Sequence, residues 1–197
     1  MTSAKTDATG LAQRPKRSDA RRNYDKLLAA ARDAFAQDGA AATLDDIARR
    51  AGVGAGTLYR HFPTRQHLLE AVYIDEVEEM CRSATDLVDL PPWDALVTWL
   101  RQFVLYAATK RALAGELIAY IDQDAEVFRS SRQAIVGAGD ALLARAQEAG
   151  VARADMTFVE VGRLLGSIAA IRSSDPQELN RMLEIVLDGL RYRPPGT

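Results

Sequence analysis

Cysteine is nearly absent from this chain, which has one, Cys81, among 197 residues. A lone cysteine cannot form a disulfide within the chain, and Cys81 lacks the neighbours that a metal or redox site needs. Histidine is also scarce, with only His61 and His67, and no hydrolase, metalloprotease or nucleotide-binding motif occurs. We therefore expect no metal, no cofactor and no catalytic residues, and we predict that the protein is not an enzyme.

Long apolar runs are missing as well. No stretch of 18 or more apolar residues occurs, and the polar N-terminus lacks the hydrophobic segment of a signal peptide. We expect no membrane partner and a cytoplasmic location, which agrees with the single cysteine.

The net charge of −2 is small, but the charge is unevenly distributed along the chain. Residues 1–69 hold 12 Lys and Arg against 7 Asp and Glu, whereas residues 70–197 hold 13 against 20. A basic N-terminal part is typical of a segment that contacts the phosphates of a nucleic acid.

Alternating strand patterns of useful length are also absent, while apolar residues recur at intervals of three and four. This periodicity predicts an all-α protein of about nine helices. The first helix is expected from about Ser18 to Gln37, ended by Gly39, and the second is capped by Thr43. One apolar face is predicted on the first helix, formed by Leu27, Leu28, Ala31, Ala34 and Phe35. The next helices are predicted over Ala55–Phe62, from about Arg65 into the eighties, and over about 93–109, 111–122, 125–148, 156–171 and 176–191, with Asp124, Asp155 and Asp175 as N-caps.

Residues 43–69 are the most informative segment of the chain. They predict two short helices joined by a turn at Gly52 and Gly54, then the capped start of a longer helix. Leu58 and Phe62, four residues apart, are expected to face inward, while the rest of their helix carries small and hydrogen-bonding side chains. A helix of this composition suits insertion into a DNA major groove.

The motifs along residues 20–72 resemble those of the TetR family of bacterial transcriptional regulators. They are A..AF...G starting at Ala31, T..DIA..AGV starting at Thr43, G.LY.HF starting at Gly56, and LLEAV starting at Leu68. Residues 1–18 are rich in Ser, Thr, Ala, Lys and Arg and lack apolar periodicity, which predicts a disordered basic arm. The resemblance implies a helix-turn-helix DNA-binding domain over 19–66, and a ligand-binding and dimerisation domain over 67–197.

The resemblance also assigns the residues that contact DNA. It places Ala55, Gly56 and Thr57 nearest the base edges or phosphates. Tyr59 and His61 are two positions apart, near opposite sides of the helix, so we expect Tyr59 on the phosphate backbone and His61 at the opposite edge of the groove. Tyr59 could instead pack partly against the first helix, and His61 could be an ordinary surface histidine. Arg65 stands where the family often has lysine and is expected to neutralise a phosphate, and Arg60 is the one arginine of the recognition helix.

The roles of several polar residues remain open from sequence alone. Thr43 and Thr64 stand at helix N-termini, where each could contact a phosphate or simply cap its helix. Arg60, together with Arg49 and Arg50, fits a DNA contact or a solvated surface equally well. The basic run of the arm, which includes Arg14, Lys16 and Arg17, fits either a solvated tail or an arm that follows the DNA.

The C-terminal part is expected to bind a small molecule and to form a homodimer. The candidate ligand-binding residues, which could also be ordinary core, are Trp99, Phe103, Tyr106, Glu116, Tyr120, Gln123 and Phe128. The last two helices carry more apolar residues than are needed for a single face packed against the rest of the chain. The candidate interface residues, which could also pack within the chain, are Val159, Gly162, Leu165, Gly166, Leu183, Val186, Leu187 and Leu190.

We therefore predict a homodimeric repressor that binds double-stranded DNA at a palindromic operator and is released by an unidentified small molecule. A transcription activator, or a DNA-binding protein that needs no ligand, is the alternative on the same fold.

Overall fold

The computed structural model describes residue 15 and residues 18–122, 125–171 and 175–191. These residues form eight α-helices, one turn of 3₁₀ helix and no β-strand, which confirms the all-α prediction. The helices are α1 (Ser18–Asp38), α2 (Leu44–Ala51), α3 (Ala55–His61), α4 (Arg65–Asp86), α5 (Pro92–Leu117), α6 (Glu126–Glu148), α7 (Phe158–Ile168) and α8 (Pro176–Leu190), with the 3₁₀ turn at Gly39–Ala41.

One predicted boundary is wrong. The sequence suggested separate helices over 93–109 and 111–122, but α5 runs without a break from Pro92 to Leu117. Lys110 and Arg111 at the supposed junction are good helix formers, and neither glycine nor proline interrupts the chain there.

The chain divides into two compact units. The first contains the described residues up to Glu76 together with Lys110–Val127, and the second contains Val77–Thr109 with the described residues from Phe128 onward. The division into functional domains at residues 66 and 67 stays a prediction. The basic arm, including Arg14, Lys16 and Arg17, lies almost wholly outside the described residues.

The first unit is built on one face of α1. The predicted apolar residues of that face are all buried, with exposures of 0–3%; they are Leu27, Leu28, Ala31, Ala34 and Phe35. Gly39 follows the helix with φ +52, a left-handed conformation that favours glycine, so α1 ends where the sequence predicted. Arg32, also on α1, forms ion pairs with Asp75 and Glu76 of α4, and its Nη2 lies 3.1 Å from Asp75 Oδ2.

The second unit has an aromatic core. The Trp99 side chain is fully buried, and its Nε1 donates to the Met80 carbonyl oxygen at 3.0 Å. Helices α6 and α7 pack closely at Gly139, where a Cβ atom would lie 2.5 Å from the ring of Phe158.

Two of the three predicted aspartate caps can be checked. Asp175 caps α8, since its side chain accepts a hydrogen bond from the Gln177 amide. The prediction for Asp155 is wrong, because α7 begins later and is capped by Thr157 and Glu160 in a reciprocal pair of hydrogen bonds. Asp155 instead pairs with Arg153. Asp124 lies outside the described residues. Over the described ranges, no helix is both long and apolar enough to cross a membrane.

Candidate nucleic-acid interface

Thr43 fixes the start of α2. Its backbone is extended, with φ −98 and ψ 152, and its hydroxyl accepts a hydrogen bond from the Asp46 amide at 3.2 Å. The same hydroxyl donates to Asp46 Oδ2 at 2.9 Å. The hydrogen bond from Arg49, followed by that from Thr43, holds the pKa of Asp46 below its ordinary value. The capping role of Thr43 is therefore observed, and its contact with a phosphate stays a prediction.

A two-glycine turn connects α2 to α3. Gly52 has φ +64, and its amide donates to the carbonyl oxygens of Ala48 and Arg49, which closes the end of α2. Gly54 has an ordinary extended backbone and precedes α3, where its carbonyl oxygen accepts from the Thr57 amide at 2.8 Å. Only Gly52 therefore needs glycine for its backbone conformation.

Helix α3 has two distinct sides. Leu58 and Phe62 are fully buried, as is Ile47 on α2, so the predicted inward side is confirmed. The opposite side is solvent-exposed and is called here the exposed α3 face; it consists of Ala55, Gly56, Tyr59 and Arg60. A Cβ atom at Gly56 would have no neighbour within 4 Å, so this end of the face is open. Thr57 is half-buried beside the face.

Tyr59 is the largest side chain of the exposed α3 face. It is 45% exposed, and its hydroxyl lies 3.5 Å from Asp45 Oδ1, the outer limit of a hydrogen bond. Asp45 is itself exposed, so water can replace this contact. The hydroxyl is therefore accessible to another acceptor, such as a phosphate oxygen.

His61 is less accessible than the sequence suggested. Its ring packs edge-on against Tyr24 of α1, with centroids 5.8 Å apart, and it also neighbours Phe62. Burial, and secondly the charge of Arg60, lowers the pKa of His61 from its ordinary value of 6.5. Its neutral form is thus favoured, and the ring is partly packed against α1. Its contact at the groove edge stays a prediction.

Thr64 caps the start of α4. Its hydroxyl accepts from the His67 amide at 3.3 Å and lies 2.6 Å from His67 Nδ1. The side chain is exposed, so capping and a phosphate contact are compatible there.

Arg65 points into the protein. Its guanidinium donates to the carbonyl oxygens of Gly39 and Ala42, pairs with Glu116 at 3.3 Å, and lies over the ring of Phe35. Only 18% of the side chain is exposed. The sequence alone assigned Arg65 to DNA and Glu116 to a ligand, whereas the structure brings these two side chains together.

The remaining arginines of this region differ in their surroundings. Arg49 pairs with Asp46 and Arg50 pairs with Asp38, so both positive charges are partly compensated by the protein. Arg60 is exposed at the end of the α3 face. Of these three arginines, Arg60 is therefore the one best placed to meet DNA.

The candidate ligand-binding residues do not form one group. Trp99, Phe103 and Tyr106 lie together in the second unit, with ring centroids 5.8 and 6.1 Å apart, and Phe158 joins them 5.3 Å from Trp99. Phe128 is buried in the same unit. Glu116 and Tyr120 belong to the first unit, where Tyr120 is 47% exposed. Gln123 lies outside the described residues.

The candidate dimer residues also divide into two groups. Within the chain, Leu165, Leu183, Leu187 and Leu190 are already buried, and Gly162, Gly166 and Val186 are half-buried. Val159 is 41% exposed, and two further apolar side chains of α7 and α8 are exposed as well, Leu164 at 48% and Ile185 at 71%. A role for these residues in a dimer stays a prediction.

Three contacts of this interface were not predicted from the sequence. They are the pairs Tyr59 with Asp45, His61 with Tyr24, and Arg65 with Glu116. The paired residues are 14, 37 and 51 positions apart, so no local periodicity connects them.

Two known protein families together match most of the chain. Residues 27–72 match the family described as bacterial regulatory proteins, tetR family. Residues 91–192 match the family described as transcriptional regulator SbtR-like, C-terminal domain. The first match contains α2 and α3, and the second contains most of the second unit.

Individual proteins are similar over different lengths. A TetR transcriptional regulator from Streptomyces coelicolor is 44% identical, with a TM-score of 0.76 over 85% of this chain and 97% of that one. A TetR transcription regulatory protein from Mycobacterium vanbaalenii is 37% identical, with a TM-score of 0.77 over 90% and 100% of the two chains. An HTH-type transcriptional regulator of Staphylococcus aureus is 38% identical over 78 residues, so the match spans about two fifths (41%) of that relative's length.

Proposed function

Because the chain belongs to the TetR family of bacterial transcriptional regulators, we propose that it is a homodimeric repressor that binds a palindromic operator and is released by a small molecule. Family and fold are those of DNA-binding transcriptional regulators rather than of enzymes. The repressor role, the palindrome and the release by a ligand are the parts that we add.

The exposed α3 face is the observation that carries the proposal. Buried Leu58 and Phe62 hold α3 on one side, and the opposite side presents small residues followed by a tyrosine and an arginine. Ala55 and Gly56 allow the backbone to approach the groove floor closely, since neither has a bulky side chain. Tyr59 can donate to a phosphate and Arg60 can contact a phosphate or a base edge.

This face offers few groups that discriminate between bases. Arg60 is the one side chain on it able to form a bidentate contact with a base. We therefore propose that sequence choice relies on contacts with thymine methyl groups and on DNA shape as well as on Arg60. The excess of basic residues over positions 1–69 supplies sequence-independent affinity, which should fall steeply as salt increases.

A dimer follows from the small size of this face. One short recognition helix contacts too few base pairs to select a single site in a genome, and two copies related by a two-fold axis recognise a palindrome. Exposed Val159, Leu164 and Ile185 supply apolar surface on α7 and α8 that a second copy can bury. Single exposed apolar residues are common on the surfaces of monomers. This surface therefore supports a dimer only in combination with membership of the TetR family.

The proposed effector is a molecule with substantial apolar surface. The ring cluster of Trp99, Phe103, Tyr106 and Phe158 is a buried group of aromatic side chains in the second unit. Pockets for small molecules are commonly lined by such side chains with a few polar groups. To release DNA, the effector must bind more tightly to the conformation that cannot engage the operator.

Selection of DNA by the purified protein tests the proposal. Fragments retained from a random pool are sequenced, and sedimentation of the complex gives the number of chains per duplex. We expect an inverted repeat bound by two chains, and lower expression of a reporter placed behind it. A single unrepeated site bound by one chain contradicts the dimer, and higher reporter expression makes the protein an activator.

A further inference from the structure

Arg65 has an unusually complete set of partners for a residue expected to contact DNA. Its two terminal nitrogens donate to the carbonyl oxygens of Ala42 and Gly39, the latter at 2.9 Å, and to Glu116 Oε2 at 3.3 Å. Its Cζ atom lies 4.8 Å from the ring centroid of Phe35. These partners contact the planar guanidinium on several sides, so only 18% of the side chain is exposed.

The two carbonyl groups define what Arg65 holds in place. Gly39 begins the 3₁₀ turn after α1, and Ala42 immediately precedes Thr43, the N-cap of α2. A guanidinium carries five N–H groups in one plane and can donate to both carbonyls and a carboxylate at once. A lysine ammonium has the same charge but cannot present that planar arrangement.

Glu116 completes the arrangement from another helix. It lies in the last turn of α5, where the partial negative charge of the helix end disfavours a carboxylate. Its side chain is only 25% exposed, so the pairing with Arg65 compensates a charge that would otherwise be poorly placed.

We propose that Arg65 and Glu116 act together as positioning residues for the DNA-binding helices, and that Arg65 is not a phosphate ligand. Glu116 orients the guanidinium, and the guanidinium fixes the 3₁₀ turn and the start of α2, against which α3 packs. This inference rests on the proposed binding of DNA through the exposed α3 face.

The proposal reverses the expected effect of one substitution. Removing an acidic group near a DNA-binding surface ordinarily strengthens binding, because repulsion of the phosphates decreases. Glu116→Gln should instead weaken binding, because the guanidinium loses its charged partner. Asp33→Asn provides a matched control, since Asp33 is an exposed carboxylate on α1 and the substitution changes the net charge equally.

Affinity is measured for the full-length protein on its selected duplex over a range of salt concentrations. Arg65→Lys and Glu116→Gln should each weaken binding about tenfold, because the loosened start of α2 has to be ordered again when DNA binds, without changing the salt dependence. The double variant should have about the same affinity as the weaker-binding single variant, because both substitutions disrupt the same arrangement. Asp33→Asn should bind as the wild type or slightly more tightly.

A phosphate ligand would behave differently. Arg65→Lys would then retain the affinity, and Arg65→Met would lower the slope of log K against log salt by about 0.9 for each lost contact. Glu116→Gln would bind at least as tightly as the wild type, because a nearby negative charge is removed. That combination overturns the inference. Circular dichroism and hydrogen exchange of the α2 amides show whether each variant folds and whether α2 has loosened. If the wild type selects no DNA, the proposed function fails rather than this inference.

Discussion

The hydroxyl of Tyr59 should contribute to DNA affinity without contributing to sequence choice. Tyr59→Phe removes a single oxygen atom from the exposed α3 face and leaves the ring in place. In the free protein that oxygen is 3.5 Å from Asp45 Oδ1, and both side chains are exposed. A contact of this length in water stabilises little, so the free energy of unfolding should change by less than about 0.5 kcal/mol.

The effect on DNA should be much larger than the effect on stability. A hydrogen bond to a charged phosphate contributes about 1.5–3 kcal/mol, which corresponds to about a 10- to 100-fold loss of affinity. Because a tyrosine hydroxyl carries no charge, it releases no counterion, and the salt dependence should remain that of the wild type. Asp45→Asn should act in the opposite direction, because it removes a negative charge beside the proposed phosphate contact.

Fluorescence anisotropy on the selected operator and on a shuffled duplex of equal length tests this prediction. Tyr59→Phe should weaken both complexes by the same factor. A change in the ratio of the two affinities would refute the assignment of Tyr59 to the phosphate backbone, and unchanged affinity for both duplexes would remove it from the interface.

Three further predictions concern stability. Gly52→Ala should destabilise the protein by about 1–2 kcal/mol in thermal or denaturant unfolding, because Gly52 has φ +64; an unchanged midpoint would contradict this. Gly139→Ala should cost about 1–3 kcal/mol, because the new Cβ would lie 2.5 Å from the Phe158 ring, whereas Gly137→Ala meets no atom within 4 Å and should not destabilise. Burial lowers the pKa of His61, so the unfolded chain binds a proton more readily than the folded protein does. The free energy of unfolding should therefore decrease as the pH falls through about 6.5, the ordinary pKa of histidine. His61→Gln should reduce this pH dependence when unfolding is followed between pH 5 and pH 8.

Local patterns predicted the DNA-binding helices well. The buried face of α1, the left-handed Gly39, the turn at Gly52 and Gly54, and the Thr43 cap all depend on residues within one or two turns of each other. Leu58 and Phe62 were assigned to the core because they recur at a helical interval of four, and both are fully buried. Such features are determined by neighbours in sequence.

The same patterns could not predict contacts between residues that are far apart in the sequence. The resemblance to the family, which often has lysine at this position, suggested a phosphate contact for Arg65. Its actual carboxylate partner, Glu116, is 51 positions away and was assigned to a ligand. The aromatic ring of Phe158 likewise joins Trp99 and Phe103 from another helix. Only tertiary packing brings such residues together.

The error at Asp155 has a different origin. Aspartate is a good N-cap, but Thr157 with Glu160 offers two reciprocal hydrogen bonds two residues later, and Asp155 is engaged by Arg153. Thr157 and Glu160 therefore cap the helix in place of Asp155, and α7 begins at Phe158.

The central claim, that the exposed α3 face contacts DNA, is tested most directly by placing a negative charge on it. A Cβ atom added at Gly56 would have no neighbour within 4 Å, and the same holds for Gly137 on α6, so Gly56→Glu and Gly137→Glu are sterically matched. Affinity for the selected duplex is measured for both variants and the wild type at one salt concentration. We expect Gly56→Glu to lose at least about 100-fold in affinity and Gly137→Glu to bind as the wild type. Equal binding by the two variants would contradict the claim.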